Sequence, residues 1–486
     1  MSPQLVFFVI ASYFALLIFI SWLTGRKINS ASFFTADRQS PWFLVAFGMI
    51  GATLSGVTFI SVPGWVASTK FWYFQMVLGY LVGYFTIALV LLPLYYKLNL
   101  VTIYTYLEKR FGTFSYKTGS AFFLLSRVIG ASFRLFLVAG VLQIGFFNAF
   151  NIPFWITILI TISLIWVYTF RAGIKTIVWT DTLQTLFMIA AVITTVFIIA
   201  DKLNLNLNGV VSVIRNSDYS TVFNWDWQSK NNFFKQFVAG AFIAIVMTGL
   251  DQDMMQKNLT CRNIKDAKKN MYWFSITLIP VTLMFMSLGV LLYYYAAQSG
   301  IEIPAKSDDL FPLLALNHLS TFAGIVFLLG VTAAAFSSAD SALTALTTSF
   351  SIDFLNLDIK QNNKKVNRTK RLVHIGFSAL LFIVILIFKA VNDDNVISAV
   401  FKVAGYTYGP ILGLFAFGLI SKRKVKDKVV PYIALISPVL IYFISRYSEQ
   451  LLFGYKFGFE LLLVNGLLTY FGLFLFSEKA MSQNSV

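Results

Sequence analysis

The sequence predicts an all-α integral membrane protein. Of its 486 residues, 58% are hydrophobic and only 12% are charged, and the mean hydropathy is +0.74. A water-soluble protein of this length needs far more polar surface than this composition supplies. The apolar residues also occur in runs of about 20, the length that an α-helix needs to cross roughly 30 Å of hydrocarbon. The composition therefore indicates a chain whose main solvent is lipid.

Thirteen apolar runs are long enough to be predicted as membrane-spanning helices. They cover residues 4–24, 42–66, 71–96, 118–148, 152–170, 176–200, 232–257, 270–297, 321–354, 372–391, 395–420, 430–447 and 456–477. The first run is longer than the usual core of a cleavable signal and follows no basic segment, so it is predicted to remain as a span. The linkers are short and show no low-complexity composition, which predicts one integral membrane domain over residues 1–486.

The charges of the chain predict its orientation. The 38 Lys and Arg residues outnumber the 21 acidic residues, for a net charge of +17. With the N-terminus outside, most basic residues fall in cytoplasmic linkers, including the run from Lys360 to Arg371 and the cluster from Lys422 to Lys428, while Asp308 and Asp393 fall outside. The positive-inside rule therefore predicts an external N-terminus and a cytoplasmic C-terminus in a multi-pass protein of the cell membrane. It also accounts for the basic charge without nucleic acid, which is not expected as a partner.

The composition disfavours several kinds of enzyme and pump. One cysteine, Cys261, and two histidines leave no disulfide framework and too few ligands for an iron–sulfur, haem or transition-metal centre. No GxxxxGK[ST] loop is present, which argues against an ATP-driven pump. Asp181 and Asp340 could mimic an acid–base pair, but no nucleophile with an adjacent histidine or metal set accompanies them. We therefore expect no enzymatic activity and no cofactor.

The second predicted helix contains a segment that favours an interruption. Residues 51–59 hold two glycines and three hydroxyl side chains, and Pro63 follows. Such a composition predicts an unwound segment whose free carbonyls bind a cation and whose hydroxyls face a solute. A small-residue packing face in an ordinary kinked helix explains the same residues, and the segment alone does not decide between the two.

The ninth predicted helix carries a stripe of oxygen ligands. Ala334, Ser337, Ser338 and Ser341 lie at i, i+3, i+4 and i+7, which places them on one face, as coordination of a hard cation requires. Contacts between helices are the alternative use of a serine stripe. The neighbouring Asp340 favours a site, because a carboxylate within the membrane needs a positive partner, an ion or a proton.

Three further charged residues fall inside predicted helices. Asp181 lies about a turn inside the cytoplasmic end of the sixth helix, so N-terminal capping is an alternative to a binding role. Arg127 and Arg134 share one face of the fourth helix. Arg127 can extend to the cytoplasmic boundary, whereas Arg134 lies another ~10 Å deeper. Arg134 is therefore predicted to pair with Asp181, Asp340 or a carboxylate of the ligand.

The chain resembles the sodium/solute symporter (SSS) family from about Phe47 to Phe354. The sequence from Trp179 to Asp181, with Gln184, is similar to the W-x-D signature of that family. The segment 249–257 (GLDQDMMQK) is similar to its G-x-N/D-Q-x-x-x-Q-R motif, and 334–341 to its A-x-x-S-S-x-x-S sodium stretch. The resemblance implies a LeuT-type fold, in which two copies of a five-helix unit are inverted relative to each other. The implied parts are a leading helix at 4–24, repeats at 42–200 and 232–420, and two trailing helices at 430–477, thirteen helices in all.

The resemblance also implies binding residues. For the coupling sodium ion it implies the carbonyls of Gly51, Leu54 and Ala334 with the hydroxyls of Ser337 and Ser338. For a second sodium ion, or a proton, it implies Asp181, Asp340 and Ser341. For the solute it implies Thr53, Ser55, Thr58, Gln75 and Arg134.

The resemblance further narrows the solute. Residues 54–59 look closest to the sialic-acid and monocarboxylate branches, and Met247 and Thr248 stand where sugar-transporting relatives have aromatic residues. We therefore expect a sodium-coupled symporter that imports a small carboxylate and functions as a monomer in the bilayer. A sugar or amino-acid symporter is the alternative, as is a solute sensor, which the lack of an output domain disfavours.

Overall fold

The protein is almost entirely helical in the computed structural model, which describes residues 3–25, 35–169, 173–357, 364–391 and 395–478. Residue 170, the start of the basic run at Lys360 and the predicted external Asp393 lie outside the described residues. The helices of the first half are α1 Pro3–Gly25, α2 Trp42–Thr69, α3 Tyr73–Thr86, α4 Leu92–Lys97, α5 Thr105–Arg110, α6 Thr113–Gly145, α7 Phe154–Thr169, α8 Gly173–Lys202 and α9 Leu207–Asn216. Those of the second half are α10 Phe233–Ala244, α11 Gln252–Asn258, α12 Ile264–Gln298, α13 Leu310–Leu313, α14 Thr321–Ser349, α15 Lys364–Val391, α16 Val396–Thr407, α17 Gly409–Ile420, α18 Val430–Arg446, α19 Ser448–Leu451 and α20 Leu461–Leu475.

Shorter segments complete the chain. Five-residue π-helical segments continue α3, α10, α13 and α14 over Ile87–Leu91, Ile245–Gly249, Leu314–His318 and Phe350–Phe354. A two-residue strand, β1 Lys424–Val425, pairs antiparallel with β2 Ser477–Glu478. Short 3₁₀ helices cover Ala36–Arg38, Lys70–Trp72, Phe147–Phe150, Asp218–Ser220, Ser307–Asp309 and Asp427–Val429.

The long helices are suited to a bilayer. Among the described residues, eight helical stretches are long and apolar enough to cross a membrane, or ten if each of two bent pairs counts as one span. Large apolar side chains such as Phe8, Ile383 and Leu435 are 69%, 51% and 61% exposed on α1, α15 and α18. Apolar faces of this kind are unfavourable in water and match a lipid surround. The count of thirteen spans stays a prediction.

Several helices extend beyond the predicted spans. Helix α12 begins at Ile264 instead of 270, and α15 begins at Lys364 instead of 372. The side chain of Asn263 accepts a hydrogen bond from Asp266 N (2.9 Å) and caps α12 in a polar turn. Apolar runs mark the part of a helix that contacts hydrocarbon, whereas hydrogen bonding and caps decide where the helix ends. The short helices α5 and α9 were not predicted for the same reason, because they are not long apolar runs.

The first helix of each predicted repeat is broken. In α2 the backbone leaves the helical region only at Ser55, which has φ 48° and ψ 173°. In the second repeat, the helix Phe233–Gly249 meets α11 at an angle of 69°. The predicted interruption within residues 51–59 is thus confined to one residue, and the corresponding break after Gly249 spans two.

Tyrosine hydroxyls satisfy the carbonyls that the second break frees. Tyr95 Oη donates to Gly249 O and Tyr104 Oη donates to Leu250 O, each at 2.8 Å. Asp251 caps α11, since its Oδ1 accepts from Asp253 N at 2.9 Å. An unsatisfied backbone group in hydrocarbon costs several kcal/mol, so these partners make the break stable within the membrane.

The first spanning helix of each half packs on the second spanning helix of the other half, a pattern that we call exchanged packing. Helix α12, the second of its half, packs on α2, the first of the other half, and α3 packs on α10 in the same way. Likewise α8 packs along α14, and α16 with α17 packs along α6. A two-fold relation between the halves would produce such paired contacts.

A second bend divides the last helix of the second predicted repeat. Helices α16 and α17 meet at 47°, and Pro410 lies at the start of α17. Proline has no N–H to donate to the carbonyl of Tyr406. The buried Asn465 of α20 compensates, since its Nδ2 donates to Gly405 O (2.9 Å) and Tyr406 O (3.0 Å). A trailing helix therefore stabilises the bend.

We expect Asn465→Leu to destabilise the protein, because the buried carbonyl of Gly405 and the partly buried carbonyl of Tyr406 lose their donor, and an unsatisfied buried group costs about 1–3 kcal/mol. Thermal unfolding of the detergent-solubilised protein measures the loss. In a Pro410→Ala background, which restores the missing N–H, the same substitution should cost less. An equal cost in both backgrounds would contradict the role assigned to Asn465.

Candidate functional site

The helices that carry the predicted ion ligands meet at the centre of the molecule. Helices α2, α8 and α14 all pack against one another. The approach of α2 to α8 is so close that a Cβ at Gly51 would stand 2.1 Å from Thr185 Oγ1, and one at Gly48 would stand 3.0 Å from Asp181 Cβ. A side chain at position 51 would require Thr185 to move. The glycines of α2 thus bring its backbone next to α8, beside the break at Ser55.

Asp181 is the central charge of this meeting point. Its Oδ1 accepts a hydrogen bond from Ser337 Oγ of α14 at 2.6 Å, and its Oδ2 forms an ion pair with Lys257 Nζ of α11, also at 2.6 Å. Both charged side chains are at most 2% exposed. Asp181 lies well inside α8, which begins at Gly173, so the capping alternative is wrong. The carboxylate instead joins three helices.

The serine stripe of α14 is buried at the same place. Ser338 Oγ donates to Ala335 O (3.0 Å) and Ser341 Oγ donates to Ser337 O (2.7 Å). Each hydroxyl thereby donates its proton to a carbonyl of its own helix and keeps oxygen lone pairs that can coordinate a cation. Asp340 Oδ1 accepts from Ser341 N at 2.5 Å. Ser337 also bonds between helices, so part of the stripe serves the packing role as well.

The two arginines of α6 have different surroundings. Arg127 is 4% exposed and pairs with Asp253, with Asp251 Oδ2 at 3.8 Å, so the prediction that it extends to the cytoplasmic boundary is wrong. Two acids on the neighbouring α11 segment hold it inside instead. Arg134 is 8% exposed, and within the described part of the chain its Nε has no hydrogen-bond partner. Asp181, one of its predicted partners, is paired with Lys257 instead.

Arg134 faces a cavity beside the break in α2. Thr53, Ser55 and Thr58 line the same cavity, so the structure brings together four of the five residues implied for the solute. Gln75 lies apart from it. Its Nε2 donates to Trp72 O (3.1 Å) and Asn231 O (3.0 Å), and its Oε1 accepts from Asn224 N (3.0 Å). The amide of Gln75 thus holds the linker before α10 in place.

Other cavity residues escaped the sequence reasoning. Tyr73, Tyr80 and Tyr84 line the cavity from α3, and Phe401 lines it from α16. The signal was present, because spacings of seven and four residues put the three tyrosines on one helical face. The same spacing is typical of ordinary packing, so it does not by itself indicate a binding surface. No acidic residue is among the described residues that line the cavity, although Asp251 and Asp253 pair with Arg127 at its edge.

The linker before α13 covers the C-terminal end of α2. The carbonyl of Ser307 lies so close to Gly64 that a Cβ there would stand 2.2 Å away. Asp308 accepts from Asn395 Nδ2 (2.6 Å) and Val396 N (3.1 Å), which joins the linker to the start of α16. Burial raises the pKa of Asp308 to about 6, and the hydrogen bond from Val396 N opposes that shift. The linker thus connects the C-terminal end of α2 to the start of α16.

Comparison with known proteins decides the family. The family model described as "Sodium:solute symporter family" matches residues 33–427. The chain belongs to this family. The family resemblance seen in the sequence is thereby confirmed, and the chain is a sodium-coupled solute transporter of the membrane and not an enzyme.

Individual relatives agree with this assignment. The chain is 25% identical over 434 residues to the sodium/sialic acid symporter NanT of Aliivibrio fischeri, with 86% of this chain and 83% of that protein covered. It is 23% identical over 459 residues to the sodium/sialic acid symporter SiaT of Proteus mirabilis, with 92% and 90% covered. Among solved structures, a Na⁺-coupled sialic acid symporter in a substrate-bound, outward-open state superposes with a TM-score of 0.82 at 19% identity, over 98% of this chain and 99% of that one. This last similarity shows a shared fold.

We expect loss of either partner of the Asp181–Lys257 pair to destabilise the protein. Asp181→Asn or Lys257→Met leaves a buried charge without its partner, which costs about 3–5 kcal/mol, whereas the double variant should recover much of that loss. Unfolding in detergent without sodium measures the effect. The exposed Lys456–Glu449 pair (3.4 Å) is the matched control, and Glu449→Gln should cost about 1 kcal/mol or less. Single variants as stable as the wild type would show that the pair does not stabilise this site.

Proposed function

We propose that this transporter imports a small monocarboxylate, such as a sialic acid, together with sodium. The observation that carries the proposal is Arg134, a buried guanidinium that faces the cavity and whose Nε lacks a partner among the described residues. A guanidinium presents donors in a planar fork that matches a carboxylate. Arg127 is already neutralised by acids, so Arg134 is the cation left for one negative charge. The relatives named for sialic acid support this class of solute.

The hydroxyls of Thr53, Ser55 and Thr58 complete the proposed solute site. They lie on either side of the break in α2, where the backbone of Ser55 departs from the helix. A polyhydroxylated acid would use these hydroxyls for hydrogen bonds and the tyrosine face of α3 for apolar contact. We leave Gln75 out of the site, because its amide is occupied in the linker before α10.

Sodium is proposed to bind between α2 and α14. The ligands are the carbonyls of Gly51, Leu54 and Ala334 with the hydroxyls of Ser337 and Ser338. Sodium that enters the cell gains about 2.3 kcal/mol per charge per 100 mV of membrane potential, and its concentration gradient adds to this. An ion held there would tie the broken helix to α14 and favour the outward-open state, which the solute then closes. Coupling follows, because the ion stabilises the state that binds the solute, so each ligand raises the affinity for the other.

A second ion bound by Asp181, Asp340 and Ser341 would lie next to the positive charge of Lys257. Lys257 Nζ lies 2.6 Å from Asp181, where a second sodium would otherwise neutralise the carboxylate. We propose that this ammonium takes that role in the state described here. One sodium ion per cycle is then expected, with a sodium dependence of uptake that gives a Hill coefficient of about 1.

The remaining expectations concern architecture. We propose thirteen spans arranged as one leading helix, two inverted repeats at 42–200 and 232–420, and two trailing helices. The broken first helix of each half and the exchanged packing of α2, α3, α10 and α12 support the repeat. An external N-terminus, a cytoplasmic C-terminus and a monomeric functional unit complete the proposal, with the orientation supported by the distribution of basic residues.

We expect Ser337→Ala with Ser338→Ala to abolish sodium-stimulated uptake, because the double variant removes two hydroxyl ligands while it keeps the helix and its volume. Uptake of labelled sialic acid into proteoliposomes, with an inward sodium gradient or with choline in its place, is the measurement. Ser378→Ala is the matched control, since Ser378 Oγ donates to a carbonyl of its own helix (His374 O, 2.9 Å) away from this site. A double variant with normal sodium dependence would refute the ion site.

We expect Arg134→Ala to raise the KM for sialic acid by about 10- to 150-fold, the equivalent of a charged hydrogen-bonded contact worth about 1.5–3 kcal/mol. Arg134→Lys should retain part of the affinity, because it keeps the charge and loses the planar fork. The methyl ester of the same acid is the control solute, and the wild type should not concentrate it. Sodium-driven uptake of a neutral sugar that survives Arg134→Ala would favour the sugar alternative, and sodium-stimulated binding without any uptake would favour a sensor.

A further inference from the structure

Two guanidinium groups line the solute cavity, and the proposed solute uses one of them. Arg127 and Arg134 lie seven residues apart on one face of α6, and both line the cavity. Seven residues correspond to about 10 Å along an α-helix. Two guanidinium groups in one cavity suit an acid with two carboxylates, whereas one suits an acid with a single carboxylate. The partners of Arg127 therefore decide how many charges the solute can carry.

Asp253 is the acid that occupies Arg127 directly. Its Oδ2 forms an ion pair with Arg127 Nη2, and both side chains are at most 5% exposed. Within the described part of the chain, neither carboxylate oxygen of Asp253 accepts a hydrogen bond from a residue other than Arg127. The carboxylate of Asp253 thus contributes no helix cap and no link to another described side chain. Its effect is to neutralise one guanidinium.

Asp251 has a different role in the same cluster. Its Oδ1 accepts from Asp253 N (2.9 Å) and Met254 N (3.4 Å), which caps α11. Its Oδ2 accepts a hydrogen bond from Tyr408 Oη and lies 3.8 Å from Arg127 Nη1, beyond hydrogen-bond distance. Asp251 therefore stabilises the break before α11 and adds negative charge near Arg127, but it does not occupy the N–H groups of the guanidinium.

The two acids influence the cavity without lining it. Arg127 and Met254 are among the residues of the cavity wall, whereas Asp251 and Asp253 are not among the described residues of that wall. A second carboxylate of a solute would therefore reach Arg127 from the cavity and find it already paired. It would also experience the negative charge of the two acids, and like charges repel strongly where little water screens them.

We infer that Asp253 is a specificity-determining residue that acts through Arg127: it occupies the guanidinium as a built-in carboxylate and so restricts the solute to a single negative charge. The cavity then takes an acid with one carboxylate at Arg134 and a neutral remainder, and it rejects diacids. Without the charge of Asp253, Arg127 becomes a second anion site in the same cavity. The inference rests on the proposed carboxylate function and names the residue that sets the charge of the solute.

Selectivity between diacids and their half-esters tests this inference. Straight-chain diacids from succinic to suberic acid are compared with their monomethyl esters, which have a similar length and one charge less. Thermal-shift titrations of the purified protein in sodium give the dissociation constants. The wild type should bind the half-esters more tightly. Asp253→Asn keeps the shape of the side chain and removes its charge, so it should strengthen binding of a diacid relative to its half-ester on the order of tenfold, the effect of one charged hydrogen bond.

Two variants serve as matched controls. Asp253→Glu keeps the charge and should keep the wild-type preference. Arg127→Gln with Asp253→Asn removes both members of the ion pair, and it should also keep that preference, because no second guanidinium is left to bind a diacid. If Asp253→Asn gives no gain for any diacid, or if the gain persists in the double variant, the inference is wrong.

The other member of the pair gives a test that remains if Asp253→Asn does not fold. Arg127→Gln leaves the charge of Asp253 beside the cavity without its partner, so it should weaken binding of the half-esters on the order of tenfold. The addition of Asp253→Asn should restore that binding. Half-ester binding that stays weak in the double variant would show that Arg127 matters for a reason other than its pairing with Asp253, and would overturn the inference.

The result also separates this inference from the proposed function. If the wild type binds sialic acid or a half-ester through Arg134 and Asp253→Asn gains nothing for diacids, the inference fails and the proposed function stands. If the wild type binds no monocarboxylate but Asp253→Asn binds a diacid in a manner that depends on Arg127, the proposed solute class fails and the role of Asp253 is retained.

Discussion

The buried carboxylate of Asp181 is the constraint on which the centre of this molecule depends. A charge in hydrocarbon is tolerated only when other groups compensate it, and here Ser337 and Lys257 do so from two other helices. Asp181 belongs to the first half of the chain, whereas both partners belong to the second. The need to neutralise one charge therefore fixes α8, α11 and α14 relative to one another. The close approach of Gly48 and Gly51 adds α2 to the same contact.

Broken helices impose a second requirement, because each break frees carbonyls that lipid cannot satisfy. The chain meets it with donors from distant segments: Tyr95 and Tyr104 at the break before α11, and Asn465 at the bend of α16 and α17. At Ser55 the break instead borders a cavity that holds hydroxyls and Arg134. Irregular backbone in a membrane is stable where protein or water replaces the missing hydrogen bonds. The break in α2 contributes Thr53, Ser55 and Thr58 to the cavity, and the break after Gly249 contributes Thr248.

Features that depend on neighbouring residues could be predicted from the sequence, whereas contacts between residues that are distant in the sequence could not. Spans and the stripe from Ala334 to Ser341 follow from apolar runs and helical spacing, which are local properties. The partner of Asp181 does not, because Lys257 stands in a separate motif and nothing in its neighbourhood signals the contact. The same holds for Arg127, which was expected at the boundary although Asp253 holds it inside. The family resemblance implied that Gln75 contacts the solute, whereas its side chain forms hydrogen bonds with the linker before α10.

The two arginines and Lys257 differ in how nearby acids neutralise them. Arg127 is paired with Asp251 and Asp253, so Arg134 is the cation that would bind the proposed carboxylate. Lys257 is similarly paired with Asp181, and the proposed ligands of sodium are the serine hydroxyls and the carbonyls of α2 and α14. Because Ser337 contacts Asp181 and is also a proposed sodium ligand, the ion and the Lys257 ammonium act on one carboxylate. Release of the ion would strengthen the electrostatic attraction between Lys257 and Asp181, and binding of the ion would weaken it. Lys257 lies on α11, whose Met254 lines the cavity, so occupancy of the proposed ion site would be linked to the position of α11.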